Sequence, residues 1–155
     1  MPVTFTLNPY LNFNGNTAEA MEFYRSVVGG KLSMQTFGKA GMAKLPEDED
    51  KIMHASLVNG DFVLMASDCP PSRKVRFGDN VHLSLVGTDD TRLTEIFRSL
   101  SENGKVTMPL AEQFWGDTFG MLTDKFGIHW MVNISAARTS KGQSTAAKGK
   151  GKKKK

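Results

Sequence analysis

Apolar residues recur at helical spacing in two stretches of the chain and alternate with polar ones in eight others. In the first helical stretch Ala20, Phe23, Tyr24 and Val27 fall on one face. Asn16 or Thr17 stands ready as the N-cap with Glu19 close behind, and Gly29-Gly30 supplies the stop. In the second, Leu93, Ile96, Phe97 and Leu100 share a face. That helix is predicted to start near Asp89 or Asp90 and to end around Asn103-Gly104. Strands are predicted over residues 5–13 before the first helix and 32–37, 52–58 and 62–67 after it. The second helix has the same surroundings, with 81–86 before it and 106–110, 118–123 and 128–134 after it. Asn59-Gly60 predicts a tight two-residue hairpin, pairing Val58 with Asp61 and setting His54 opposite Met65. Residues 38–50 are polar and predict a loop at the mouth of whatever these strands enclose.

The two halves also resemble each other residue by residue. Glu22-Phe23-Tyr24-Arg25-Ser26 leads through Gly30-Lys31 to Met34. Glu95-Ile96-Phe97-Arg98-Ser99 leads through Gly104-Lys105 to Met108, with one extra residue before the glycine. Glu, Arg, Ser, Gly, Lys and Met recur in order, which predicts a duplicated βαβββ unit. The expected fold class is therefore α+β, as two tandem modules over about residues 5–68 and 80–135, joined by a linker over about 69–79. One domain would span 1–137.

Charge changes the picture at one end. The net charge of +4 comes from the tail, where residues 138–155 hold eight Lys and Arg and no acid. The rest carries 12 basic against 16 acidic side chains, a net −4. With no apolar periodicity the tail is expected to be disordered, a solubilising segment or a weak, salt-sensitive contact for polyanions. No stretch reaches the ~18 to 20 apolar residues of a membrane span. The N-terminus lacks the basic-then-apolar pattern of a secretory signal, and a lone cysteine, Cys69, cannot form an internal disulfide. A cytoplasmic protein is expected.

Several motifs in order resemble a known family. Pro9-Tyr10-Leu11-Asn12-Phe13-Asn14-Gly15-Asn16 leads into Ala20-Met21-Glu22-Phe23-Tyr24. Lys51-Ile52-Met53-His54-Ala55-Ser56-Leu57, Met65-Ala66-Ser67-Asp68 and Phe114-Trp115-Gly116 follow, and Gly120 to Asn133 closes the set. Over roughly residues 5–135 this resembles the PhnB-like branch of the vicinal-oxygen-chelate (glyoxalase/bleomycin resistance/dioxygenase) superfamily. The resemblance implies paired modules that each curve into half of a cup, and a homodimer. Some members are labelled as ubiquinone-pathway methyltransferase-like, yet this chain has no Gly-x-Gly-x-x-Gly after a strand.

Enzymes of that superfamily hold one divalent metal with His, Gln or Glu from the first and last strand of each module. Carried over by resemblance, those positions fall at Asn8, Met65, His82 and Met131. Only His82 is a good ligand there; two thioethers and an amide are poor partners for such ions. The resemblance thus implies a dismantled site and no expected cofactor, with a divalent metal as the alternative. Strand alternation adds a second possibility: His54, His82 and His129 all face inward, a shifted metal set. The same alternation turns Asn12, Ser67, Ser84 and Asn133 inward.

Two functional readings follow. In the favoured one the protein is no enzyme and binds a small, partly apolar organic molecule. Tyr10, Met65, Trp115 and Met131 would supply contact area, with Phe114 and Phe119 beside them, and Asn8, His54, His82 and His129 would orient the ligand. In the other it is a divalent-metal-dependent lyase, isomerase or dioxygenase acting on vicinal oxygens, with His82 the candidate acid or base. A third reading places the function in contacts made by the basic tail.

Overall fold

The computed structural model describes residue 2, residues 4–70 and residues 72–136. It contains the two βαβββ modules. The first runs β1 (Tyr10–Phe13), α1 (Thr17–Val28), β2 (Lys31–Thr36), β3 (Ile52–Asn59) and β4 (Phe62–Asp68). The second runs β5 (Leu83–Gly87), α2 (Asp90–Ser101), β6 (Lys105–Glu112), β7 (Thr118–Thr123) and β8 (His129–Ile134). Each module forms its own four-stranded sheet, in order β1-β4-β3-β2 and β5-β8-β7-β6. The first and last strands of each module pair in parallel, and all other pairs are antiparallel. The fold is α+β, and both helices have 12 residues, as the internal repeat requires.

One face of each sheet is buried under the helices in a single core. Phe13, Met21, Tyr24, Leu57, Leu64, Leu100, Leu122, Trp130 and Val132 are its most buried large residues. Each such side chain contributes about 1.5–3 kcal/mol by leaving water. Aromatic pairs carry the core across the module boundary: Tyr24 meets Trp130 at 5.6 Å between ring centroids, and Phe23 meets Phe126 at the same distance. The Arg92 guanidinium adds a hydrogen bond to the Val27 carbonyl, at 2.9 Å.

Two buried carboxylates organise this core. Asp68, at the end of β4, accepts from the Gly15 and Thr17 amides, the Thr17 hydroxyl and the Ile52 amide, at 2.7–3.1 Å. This corrects the expected cap of α1. Asn16 holds the N-cap position but makes no side-chain cap. A carboxylate from a distant strand meets those donors instead, and its charge favours the positive end of the helix. By contrast α2 caps itself, Asp89 accepting from the Arg92 amide at 3.0 Å. Asp124, in the β7–β8 loop, accepts from the Tyr24 hydroxyl at 2.6 Å, from Trp130 Nε1 at 2.8 Å, and from the amides of Phe126 and Ile128. Burial first, then the neighbouring Asp124 charge, holds the Tyr24 phenol far above its ordinary pKa.

Three expectations change in detail. The first strand starts at Tyr10 rather than residue 5, because Pro9 has no amide to give to a ladder and contributes only its carbonyl, to Met65 N. The β3–β4 turn is Gly60-Asp61, with Asn59 paired to Phe62. Asn59 stays in the strand because its side-chain amide reaches the Val28 carbonyl at the end of α1, at 2.7 Å, and Gly60 takes the left-handed position. Ser56 rather than His54 consequently lies opposite Met65; the shift is two residues, so the face is unchanged. Finally β6 runs on to Glu112 past Pro109, which an edge strand with two register shifts tolerates.

Residues 38–50, expected as a loop, include one short 3-10 turn at Pro46–Asp48. Among the described residues no helix is long and apolar enough to cross a membrane. The expected basic tail, 138–155, lies outside the described residues.

Candidate functional site

The helix-free face of each sheet is left uncovered. In the first module alternation places Tyr10 and Asn12 of β1 beside Met65 and Ser67 of β4. His54 joins them through an irregularity. Strict alternation would bury it with Ile52, but an extra residue, Met53, lets both Ile52 and Ala55 face the core and turns His54 outward. The Tyr10 hydroxyl and His54 Nδ1 are 3.2 Å apart. In the second module β8 presents His129, Met131 and Asn133, with Ser84 opposite Met131 and Val86 opposite Asn133. His82 lies one residue before β5, and its ring centroid is 5.3 Å from that of His129.

These two histidines differ in what they can do. His129 Nε2 lies 2.9 Å from the Gly78 carbonyl, which can only accept, so Nε2 carries a proton. Nδ1 faces the Thr123 hydroxyl at 2.8 Å. Both nitrogens of His129 are thus engaged, and the ring fastens the inter-module linker to β8. Among the described residues His82 makes no side-chain hydrogen bond, and it borders a cavity.

That cavity and a smaller one lie along the seam between β5 and the first module. The larger, about 330 Å³, is bounded by Pro9, Asp61 and Val63 on one side and His82, Leu83 and Ser84 on the other. The smaller, about 170 Å³, is bounded by Leu11, Asn12, Phe77, Leu83 and His129. Leu83 borders both. Phe77 closes the upper end: its ring stacks edge-on against Phe13 at 6.3 Å and lies where a side chain on Gly127 would have to go, so that position requires glycine.

The expected residues therefore fall into separate groups. Tyr10, His54 and Met65 gather on the first face; His82, His129 and Met131 gather on the second. Asn8 precedes β1, and its side chain bonds Thr6. Phe114 and Trp115 sit at the β6–β7 hairpin tip, with Trp115 against Phe119, rather than beside the histidines. His54 is paired with Tyr10 and not with the other two histidines, and no cluster of three His, Cys, Asp or Glu able to hold a metal occurs among the described residues. The family's four metal positions do not fit the ion either. The amide, the two thioethers and the single imidazole of Asn8, Met65, Met131 and His82 lack the hard donors such a centre uses. Residues that sequence reading missed are Gly78 and Thr123, which engage the two nitrogens of His129, and Phe77, which packs on Phe13 and Gly127; contacts between a linker and distant strands leave no periodic signal.

With this geometry in place the relatives are informative. The glyoxalase/bleomycin resistance protein/dioxygenase superfamily model matches residues 6–132. The chain belongs to this superfamily. It is 33% identical over 144 residues to protein YjdN of Escherichia coli K12, covering 83% of this chain and 94% of that one. The crystal structure of PA1353 from Pseudomonas aeruginosa is 42% identical, with a TM-score of 0.76, over 86% of this chain and 99% of that chain. The PhnB protein of Bacillus cereus shares the fold at 23% identity and a TM-score of 0.71, over 84% of this chain and all (100%) of that chain. The superfamily read from the motifs is thereby shown, and the likeness to the PhnB protein is one of fold.

Proposed function

We propose that the protein binds a small organic molecule along the seam between its modules, without the metal centre of the superfamily's enzymes. The observation that carries this reading is the seam itself. A cavity of about 330 Å³, at the lower end of small-molecule sites, has His82 at its wall with no partner among the described side chains. Pro9 and Val63 on one side, with Leu83 and Leu85 on the other, supply apolar area, and Ser84 stands beside His82 as a second orienting group; the Tyr10–His54 pair, Met65 and Met131 lie on the open faces outside that wall. His82 is the group that orients the ligand; His129 holds the wall in place.

A second copy of the chain is the partner that suits the uncovered faces. Val86 on the second face is 66% exposed, and Phe114 at the hairpin tip is 98% exposed. Phe114 and the half-exposed Trp115, 5.0 Å apart between ring centroids, form one apolar tip of the kind that marks interaction surfaces. Sedimentation analysis is expected to give a dimer, which Val86→Asp weakens.

The deciding experiment is a thermal-shift screen of organic ligands on untagged protein, run beside metal analysis. Hits are expected to stabilise metal-free protein, and His82→Ala is expected to weaken them about tenfold while leaving the melting temperature of the unliganded protein unchanged. Near-stoichiometric zinc, nickel, manganese or iron, together with ligand binding that needs it, would overturn the metal-free reading.

A further inference from the structure

The parallel pairing of β1 with β4, and the antiparallel pairs β4–β3 and β3–β2, bring the C-terminal ends of β1, β2 and β4 to one edge of the first sheet. Beside the short β1–α1 connection, two longer ones leave from there: residues 37–51 after β2, and the inter-module linker after β4. Between them lies a cavity of about 540 Å³ with Phe37, Met42, Leu45 and Pro70 in its wall. Pro70 also borders a second cavity of about 510 Å³, where the linker contributes Arg73, Lys74 and Arg76. Neither cavity is the seam; of the residues that border the cationic one, Asn12 alone also borders the seam.

The charge here is concentrated and uncompensated. Three cations stand within four residues, in a body that is net acidic without its tail. No carboxylate borders the cavity they line, and among the described residues none of the three forms an ion pair. In the apolar cavity Lys51 is paired with Asp48 at 2.9 Å. The strap that carries the cations is fixed in place. Asn14 clamps Val75 with two hydrogen bonds, at 3.1 and 2.8 Å, and the Arg73 amide bonds the Pro70 carbonyl at 2.8 Å. Phe77 anchors the far end against Phe13. Like charges held together on a pre-positioned strap repel one another until an anion arrives, and the ordering is already in place when it does.

We propose that the paired cavities are a second site, for a small amphiphilic organic acid. Its carboxylate or phosphate is held by Arg73 and Arg76, whose guanidinium groups match such oxygens two at a time, with the Lys74 ammonium adding a third positive charge. Its apolar remainder lies on Phe37, Met42 and Leu45.

The test uses the full-length protein and phenyl phosphate, with benzoate as a second acid and benzamide as the neutral counterpart. Backbone amide shifts are expected to move at Leu45 and Arg73 to Arg76 on adding either acid. Affinity should fall with rising salt and drop about tenfold or more in the Arg73→Gln/Arg76→Gln variant, as expected when two charge-assisted contacts go. That variant should keep its melting temperature, since both side chains are exposed. Leu45→Asp should weaken phenyl phosphate as well, and benzamide should not distinguish the variants. Unchanged affinity in the double variant, equal binding of benzamide, or no binding at millimolar phenyl phosphate would overturn the proposal. His82→Ala separates it from the seam reading: expected to leave phenyl phosphate binding intact, it would, by abolishing that binding, move the acid to the seam and defeat the second site alone.

Discussion

The two modules share one topology but satisfy their buried polar groups in opposite ways. The first looks inward: Asp68 ties the start of α1 and the start of β3 to the end of β4, all within one module. The second caps its own helix with Asp89 and sends its buried carboxylate outward, so that Asp124 joins Tyr24 of the first module to Trp130 of the second. One duplicated frame thus has an intramodular clasp in one copy and an intermodular clasp in the other. The uncovered faces differ in the same sense. The first pairs its histidine with a tyrosine within the face, whereas the second uses His129 to hold the linker that joins the modules.

The sharpest way to break this comparison is Asp124→Ala. It leaves the buried Tyr24 hydroxyl and Trp130 indole without an acceptor, along with two backbone amides. A loss of about 3–5 kcal/mol in urea unfolding is expected, with altered near-ultraviolet dichroism from Trp130. A loss under about 1 kcal/mol would show that the modules hold together without the clasp. Asp68→Asn should cost less, about 2 kcal/mol, because one oxygen can still accept from Thr17 while the new amide faces the Ile52 donor; Trp130 dichroism should not change.

Next in size is Tyr24→Phe, at about 1–2 kcal/mol near neutral pH. Its pH dependence has a definite sign. An unfolded tyrosine ionises near pH ~10, whereas burial and Asp124 keep the folded phenol protonated well beyond that. The stabilisation is fully present below the unfolded value and is lost as pH rises above it. Wild-type stability should therefore fall more steeply at alkaline pH than that of Tyr24→Phe, and equal slopes would refute the coupling. The smallest expected effect is Asp89→Ala, about 1 kcal/mol in thermal unfolding, since its single cap bond is exposed to water.

Much of the frame was legible because periodicity is a local property. The positions 20, 23, 24 and 27 can share a face only in a helix, and the repeated Glu-x-x-Arg-Ser marks the second copy before any contact is known. Alternation likewise put Tyr10, Met65, His82 and Met131 on open faces, because a strand leaves its side chains only two directions. Register and partners were less legible. Asn59-Gly60 reads as a turn on local propensity, yet Asn59 enters the strand because the end of α1, 31 residues earlier, has a carbonyl to satisfy.

The sequence by itself determined the two βαβββ units, the superfamily and the faces on which candidate side chains lie, since each depends on spacing and order along the chain. Only the tertiary structure decided which histidine is a strut and which stands at a cavity wall without a hydrogen-bond partner among the described side chains. Those roles depend on the Gly78 carbonyl and the Thr123 hydroxyl, groups whose nearness to His129 no spacing encodes. It also decided that Asp68 caps a helix 51 residues away and that three linker cations line one cavity, because long-range hydrogen bonds choose their partners only after the sheets have closed.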